Sequence, residues 1–180
     1  MNYIYHIKPD PFIGTSLIPL NSMDRNSELY KSHAEKYIGR ENLMLEMIPK
    51  LNCKWNDVVQ FSTLDPQVLL NKLKQVFPEM NISPFFYFKI PIEEILLKHE
   101  AAIFHRRITK NKGDYSIDDQ DIELIHCSNY KELSEVPDAT INYWHESKKK
   151  GSSPLWFPYV PHVFIKGIIE TKDFEICQYC

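Results

Sequence analysis

The side chains best suited to chemistry are spread along the chain. His6 stands inside an apolar run from Tyr3 to Ile7, flanked by Tyr5 and Ile7. Arg40 follows a polar, helix-compatible stretch that carries Tyr37. The turn Trp55-Asn56-Asp57 leads into Val58-Val59-Gln60-Phe61, and the chain leaves that run through Ser62 and Asp65-Pro66. Much later come Trp144, His145 and Glu146. An arginine can clamp a phosphate through two parallel N–H bonds, a histidine can meet a ribose hydroxyl, and a Tyr or Trp can stack on a ring. Together these types suit a cleft for a polyanionic, aromatic ligand. Each also has a plain structural reading. His6 fits a strand histidine bonded to a neighbouring carbonyl, Arg40 a solvated charge at a helix end, and Asp57 a turn cap.

Other chemistries lack their patterns. There is no G-x-S-x-G to mark a nucleophilic serine. The residue four beyond His145 is Lys149, so the zinc pattern H-E-x-x-H is absent. Only five glycines occur, with no dinucleotide fingerprint or phosphate loop among them. Glu93-Glu94 and Asp118-Asp119 are adjacent acids, whose side chains diverge on any regular element. Cys177-Gln-Tyr-Cys180 has no second ligand pair, since Cys53 and Cys127 stand alone, so we expect reduced thiols and no metal. The cation clusters are His105-Arg106-Arg107 and Lys148-Lys149-Lys150. Either can contact phosphates, and a solvated face is the simpler reading for the lysines.

A net charge of −3 gives no global field for nucleic acid. With 43% hydrophobic residues in 180, the chain suits one domain over 1–180 with a sizeable core. The N-terminus reads as a first strand, not a signal peptide, and no apolar run reaches membrane-spanning length. A cytoplasmic protein without membrane partners is expected.

The elements that must position these residues follow from periodicity. Tyr3 to Ile7 is a strand closed by Pro9 and Pro11, and Leu17 to Leu20 is a short apolar run ending in a turn at Asn21-Ser22. Helices are expected over Ser27 to Tyr37 and, after Gly39, over Arg40 to Ile48 until Pro49. Val58 to Phe61 reads as a buried central strand. Asp65-Pro66 opens a helix burying Val68, Leu69, Leu73, Val76 and Phe77. Phe85 to Ile90 is the strongest strand, followed by a short helix to Leu97. Ala101 to Arg107 is a further strand, Lys110 to Asp121 an exposed loop, and Ile122 to Ile125 a short strand or turn. Asp138 to Glu146 is a helix, and Lys148 to Ser153 a second exposed loop. Val163 to Ile165, Ile168-Ile169 and Phe174 to Ile176 are strands, the last at an edge. The fold class expected is α+β, with a mixed or antiparallel sheet and N-terminal helices.

The order Tyr5-His6-Ile7, Leu17-Ile18, a helix with Arg40, then Asp57 to Ser62 with Pro66 beyond, resembles DarT-type ADP-ribosyltransferases. Phe86 to Ile95, Ala101 to His105, and Val160-Pro161 followed by Val163 to Ile165 resemble the later strands of that superfamily. The resemblance implies a split sheet and NAD as cofactor. It implies NAD contacts from His6, Tyr37, Arg40, Asp57 and Ser62, with His6 on the nicotinamide ribose and Arg40 catalytic. It further implies transfer to a DNA, RNA or protein acceptor, in a toxin or phage-defence factor. The family's catalytic Glu falls near Ser153 here. Glu146 takes its role, or another acid such as Asp57 does, or transfer is lost and the cleft of this same fold holds a nucleotide or nucleic-acid end without turnover. A third possibility is an interaction protein whose Trp55, Trp144 and Trp156 are core or interface anchors.

Overall fold

The computed structural model describes residues 1–106 and 116–180. Arg107 and the first half of the loop expected from Lys110 lie outside them. The framework is a seven-stranded sheet formed by β1 (Tyr3–Ile7), β5 (Val58–Ser62), β6 (Phe85–Pro91), β7 (Ala101–Phe104), β8 (Ile122–Leu124), β9 (His162–Lys166) and β11 (Glu175–Tyr179). Their order is β11-β6-β1-β5-β9-β7-β8, and every strand pairing is antiparallel. The sheet is therefore antiparallel, not mixed. Two small two-stranded pairs accompany it: the long-range pair of β2 (Ser16–Leu17) with β10 (Ile169–Glu170), and the hairpin of β3 (Met47–Ile48) with β4 (Cys53–Lys54). Among the described residues four α-helices accompany the strands: α1 (Glu28–Glu35), α2 (Pro66–Val76), α3 (Ile92–Leu96) and α4 (Asp138–Lys149).

Because side chains alternate across a strand, each face of the sheet collects its own core. One face carries Ile4, Val59, Phe61, Phe88, Ile90, Val163 and Ile165. The other carries Tyr5 and Tyr87, which pack with Leu69, Leu70 and Leu73 of α2 and Trp144 of α4. Further along that face, Val58, Ala102 and Phe164 meet Ile48 and Leu51. Trp144 is fully buried and donates its indole N–H to Leu155 O at 2.9 Å, so it is a core anchor with its polar atom satisfied.

The central strands are joined unevenly. β5 holds five registered pairs with β9, and β1 holds five with β6. Between β1 and β5 the only registered pair is Tyr5 with Ser62. The seven strands form one sheet with a short seam between β1 and β5, and the strands on either side of that seam are its two halves.

Several expected elements change in the structure. The helix expected over Arg40 to Ile48 is a 3-10 turn, Glu41–Leu45, running into β3. α1 already ends at Glu35, Gly39 with φ +79° closes the turn that follows, and Arg40 gives no side-chain cap to start another helix. Leu45 and Met47 consequently stay exposed while Leu43 is buried. Val68 is exposed on α2, and Leu70 takes its place in the core. The described end of the loop expected over Lys110 to Asp121 is not exposed throughout, because Ile117 and Asp121 are buried. α4 runs on through Lys149, which shortens the exposed loop expected from Lys148. Lys148 Nζ donates to Val76 O and lies over the Phe77 ring, tying the end of α4 to α2.

Candidate nucleotide-binding cleft

A cleft of about 240 Å³ opens at the seam. Val58, Val59 and Gln60 all line it. Consecutive strand residues point to opposite faces, so a cavity touching all three meets the strand's edge, not a face. The other edge of β5 is paired to β9. The cleft therefore lies against the edge that faces β1, beyond the Tyr5–Ser62 pair, where ladder pairing has stopped.

His6 enters from β1. Its ring stands edge-on to Phe61, with centroids 5.3 Å apart. Its Nδ1 is buried and makes no hydrogen bond of ordinary geometry. Burial is the main cause that pushes the imidazole pKa down to about 4, and the nearby charges of His33 and Lys36 push the same way. The Ile7 backbone offsets a little of this. His6 is therefore a neutral ring at ordinary pH.

The roof comes from the end of α1 and the turn after it. Ser27 caps the helix by accepting from Tyr30 N at 3.1 Å. The helix delivers His33 to the cleft, and Lys36, Tyr37 and Arg40 follow. Burial is the largest effect lowering the His33 pKa, with Lys36 adding to it. The Tyr37 hydroxyl accepts from Trp55 Nε1 at 3.2 Å. Burial dominates the Tyr37 pKa and raises it, against the lowering effects of Trp55 and Arg40. Arg40 spreads its guanidinium 5.5 Å from the Tyr37 ring centre and donates Nε to Lys36 O at 2.9 Å. Among the described residues neither Lys36 nor Arg40 forms an ion pair, and both side chains are exposed. The outer cleft is accordingly cationic and uncompensated.

The floor is the Trp55–Asp57 turn. Trp55 is wedged edge-on against Phe104 and Phe164, at 6.0 and 5.2 Å. Asn56 is 2% exposed, and both its amide nitrogen and its amide oxygen lack a hydrogen-bond partner. Asp57 does not line the cleft. It accepts from Asn21 Nδ2 and from Lys54 N, each at 2.7 Å, and so latches the Leu20–Ser22 turn to this one.

Of the residues expected from sequence, His6, Tyr37 and Arg40 converge on the cleft. Asp57 lies behind its floor. Ser62 sits at the seam pair, where its hydroxyl donates to Leu64 O and accepts from Leu64 N. Glu146 is on α4, exposed and 3.8 Å from Lys150. Its helix packs with Tyr5 and Tyr87, whereas His6 shares the opposite face with Phe61. Glu146 is not among the lining residues, and those residues include no carboxylate. Asn56 was not among the expected site residues. The only sequence signal for it is its place between Trp55 and the start of a buried strand.

A second groove, about 720 Å³, runs between α2 and residues 133–141. It is larger, but Lys72, Gln75, Glu135 and Asp138 give it an ordinary solvated lining, and no buried unpartnered polar atom borders it. The seam cleft is the better candidate because it keeps unsatisfied polar groups under cover. Among the described residues there is no group of three or more metal-binding side chains, and no helix is long and apolar enough to cross a membrane.

No protein-family model, no curated protein and no solved structure matches this chain.

Proposed function

We propose that the seam cleft binds NAD and that the protein is an ADP-ribosyltransferase acting on a nucleic-acid or protein acceptor. The observation that carries this reading is the convergence of His6, Tyr37 and Arg40 on one cavity at the split in the sheet. Arg40 and Lys36 offer uncompensated charge to a pyrophosphate. Tyr37 and Trp55 offer ring faces or edges, and neutral His6 offers a hydrogen bond to a ribose hydroxyl. A volume of 240 Å³ takes the ring-and-ribose end, with the rest of the dinucleotide lying along the open, cationic mouth. In the reaction the glycosidic C–N bond breaks, nicotinamide leaves with the bonding electron pair, and an acceptor oxygen or nitrogen bonds to the ribose carbon and loses its proton to water.

One observation favours a second reading. An oxocarbenium-like transition state is ordinarily steadied by a carboxylate, and none lines the cleft. A cleft that holds the nucleotide without turnover accounts for that absence.

Purified protein incubated with NAD, with and without a mixed DNA and RNA pool, separates the two. Release of nicotinamide that is lost in Arg40→Ala supports transfer. A ligand-induced rise in Tm without release supports the binding module. Neither signal sinks both.

A further inference from the structure

Asn56 is an anomaly in a well-packed protein. A buried carboxamide without partners is costly, and an apolar residue of similar shape avoids that cost. Asn56 leaves both its donor and its acceptor unmet while bordering a cleft where charged and aromatic groups converge. The turn gives no local reason for it. The Asp57 carboxylate next door takes the turn's N–H from Lys54, and the Asn21 amide is spent on Asp57. Beside Asn56 the β5 edge is unladdered, and the His6 Nδ1 is the other unmet polar atom of the cleft.

We propose that Asn56 is the residue that selects the ring seated in the cleft, by pairing its carboxamide with a ring substituent that presents a donor and an acceptor side by side. This deepens the NAD reading and rests on it: the substituent is the nicotinamide carboxamide. A primary amide offers N–H and C=O at the same spacing as Asn56, so the two form a doubly hydrogen-bonded pair, each meeting the other's unmet groups. Less than 1 Å² of either amide atom is open in the ligand-free protein, so pairing includes a turn of the Asn56 side chain into the cleft. A carboxylate in place of the carboxamide keeps the ring and loses the donor. A site built around a hydrogen-bonding group rejects the analogue that lacks it more strongly than an apolar pocket can.

The test compares nicotinamide mononucleotide with nicotinic acid mononucleotide by calorimetric titration of the full chain, in wild type and in Asn56→Leu, beside the ligand-free Tm of each. The wild type is expected to prefer the amide by tenfold or more. In Asn56→Leu the preference falls to about onefold, and the ligand-free Tm stays level or rises because an unsatisfied amide has been removed. A Tm that falls by several degrees assigns Asn56 to the framework and overturns the proposal. Should Asn56→Leu not fold, Asn56→Ala, which removes the carboxamide without adding bulk or charge, carries the same comparison, and an unchanged preference overturns the proposal. Wild type that binds NAD but shows no preference for the amide overturns the role of Asn56 alone. Wild type that binds neither mononucleotide nor NAD overturns the NAD reading, and this inference with it.

Discussion

Arg40 and His6 illustrate two opposite ways a side chain can be poised. Arg40 is exposed, and its contacts are one carbonyl and one ring, so little of the fold depends on it. Arg40→Ala should therefore cost binding, not stability. We expect nucleotide affinity to drop at least tenfold by titration while Tm moves by no more than about 2 °C, as surface substitutions ordinarily do. His6 is held neutral by burial, and so is His162, whose pKa is also lowered to about 4, by burial first, with the Val160 backbone bond opposing and the Arg106 charge adding a smaller push down. In the unfolded chain each returns to about 6.5. Because the folded values are depressed, the stabilisation is complete above pH 6.5 and fades as pH falls from there toward 4. Each depressed histidine contributes on the order of 1–3 kcal/mol across that window. Denaturant titrations between pH 7 and 4 should show the loss, and His162→Gln should reduce its slope. A wild-type stability that is flat over this range would contradict the depressed pKa of these two half-buried histidines.

At the level of elements, the cleft depends on a latch. Asp57 joins the Asn21 turn to the Trp55 turn, and both turns border the cavity. Asp57→Ala is expected to cost about 1–2 kcal/mol, the usual worth of such bonds to a charged acceptor. That corresponds to a Tm drop of several degrees in a protein of this size, and the looser floor should weaken nucleotide binding too. Asn21→Ala should act through the same bond, so the double variant should lose less than the sum of the two. α4 contributes no residue to the cleft, and its Glu146–Lys150 pair is open to water. Glu146→Gln should leave nicotinamide release unchanged, and a large loss would return this acid to the reaction. The local elements were mostly legible in sequence, because β-branched and aromatic runs such as Val58 to Ser62 and Phe85 to Pro91 carry their own period. The segment 40–48 was misread as a helix because its apolar residues suit a helical face, while Gly39 and the two-residue strand it leads to are decided by tertiary pairing with Cys53-Lys54. The burial of Asn56 was not legible, since Asn in a turn ordinarily faces water. The seam was not legible either, because registration between Tyr5 and Ser62 is a relation across 56 intervening positions that no local pattern records.

The whole molecule is woven across its own divide. One half-sheet contains residues 3–7, 85–91 and 175–179, and the other contains 58–62, 101–104, 122–124 and 162–166. The chain passes from one half to the other four times, and the β2–β10 pair joins Leu17 to Ile169. Neither half is a contiguous stretch, so neither can be expressed as a self-sufficient fragment. β11 is also a working part of the core: Tyr179 is fully buried and stacks on Phe85 at 5.3 Å. A chain ended before residue 175 loses an outer strand and uncovers one side of β6. During synthesis, then, β6 must wait as an uncovered apolar edge for some ninety residues before its last neighbour leaves the ribosome. Such long-separated pairings fold slowly and expose sticky strands meanwhile. Yield in the cell should therefore respond to translation speed and chaperone supply more than the stability of the finished fold would suggest.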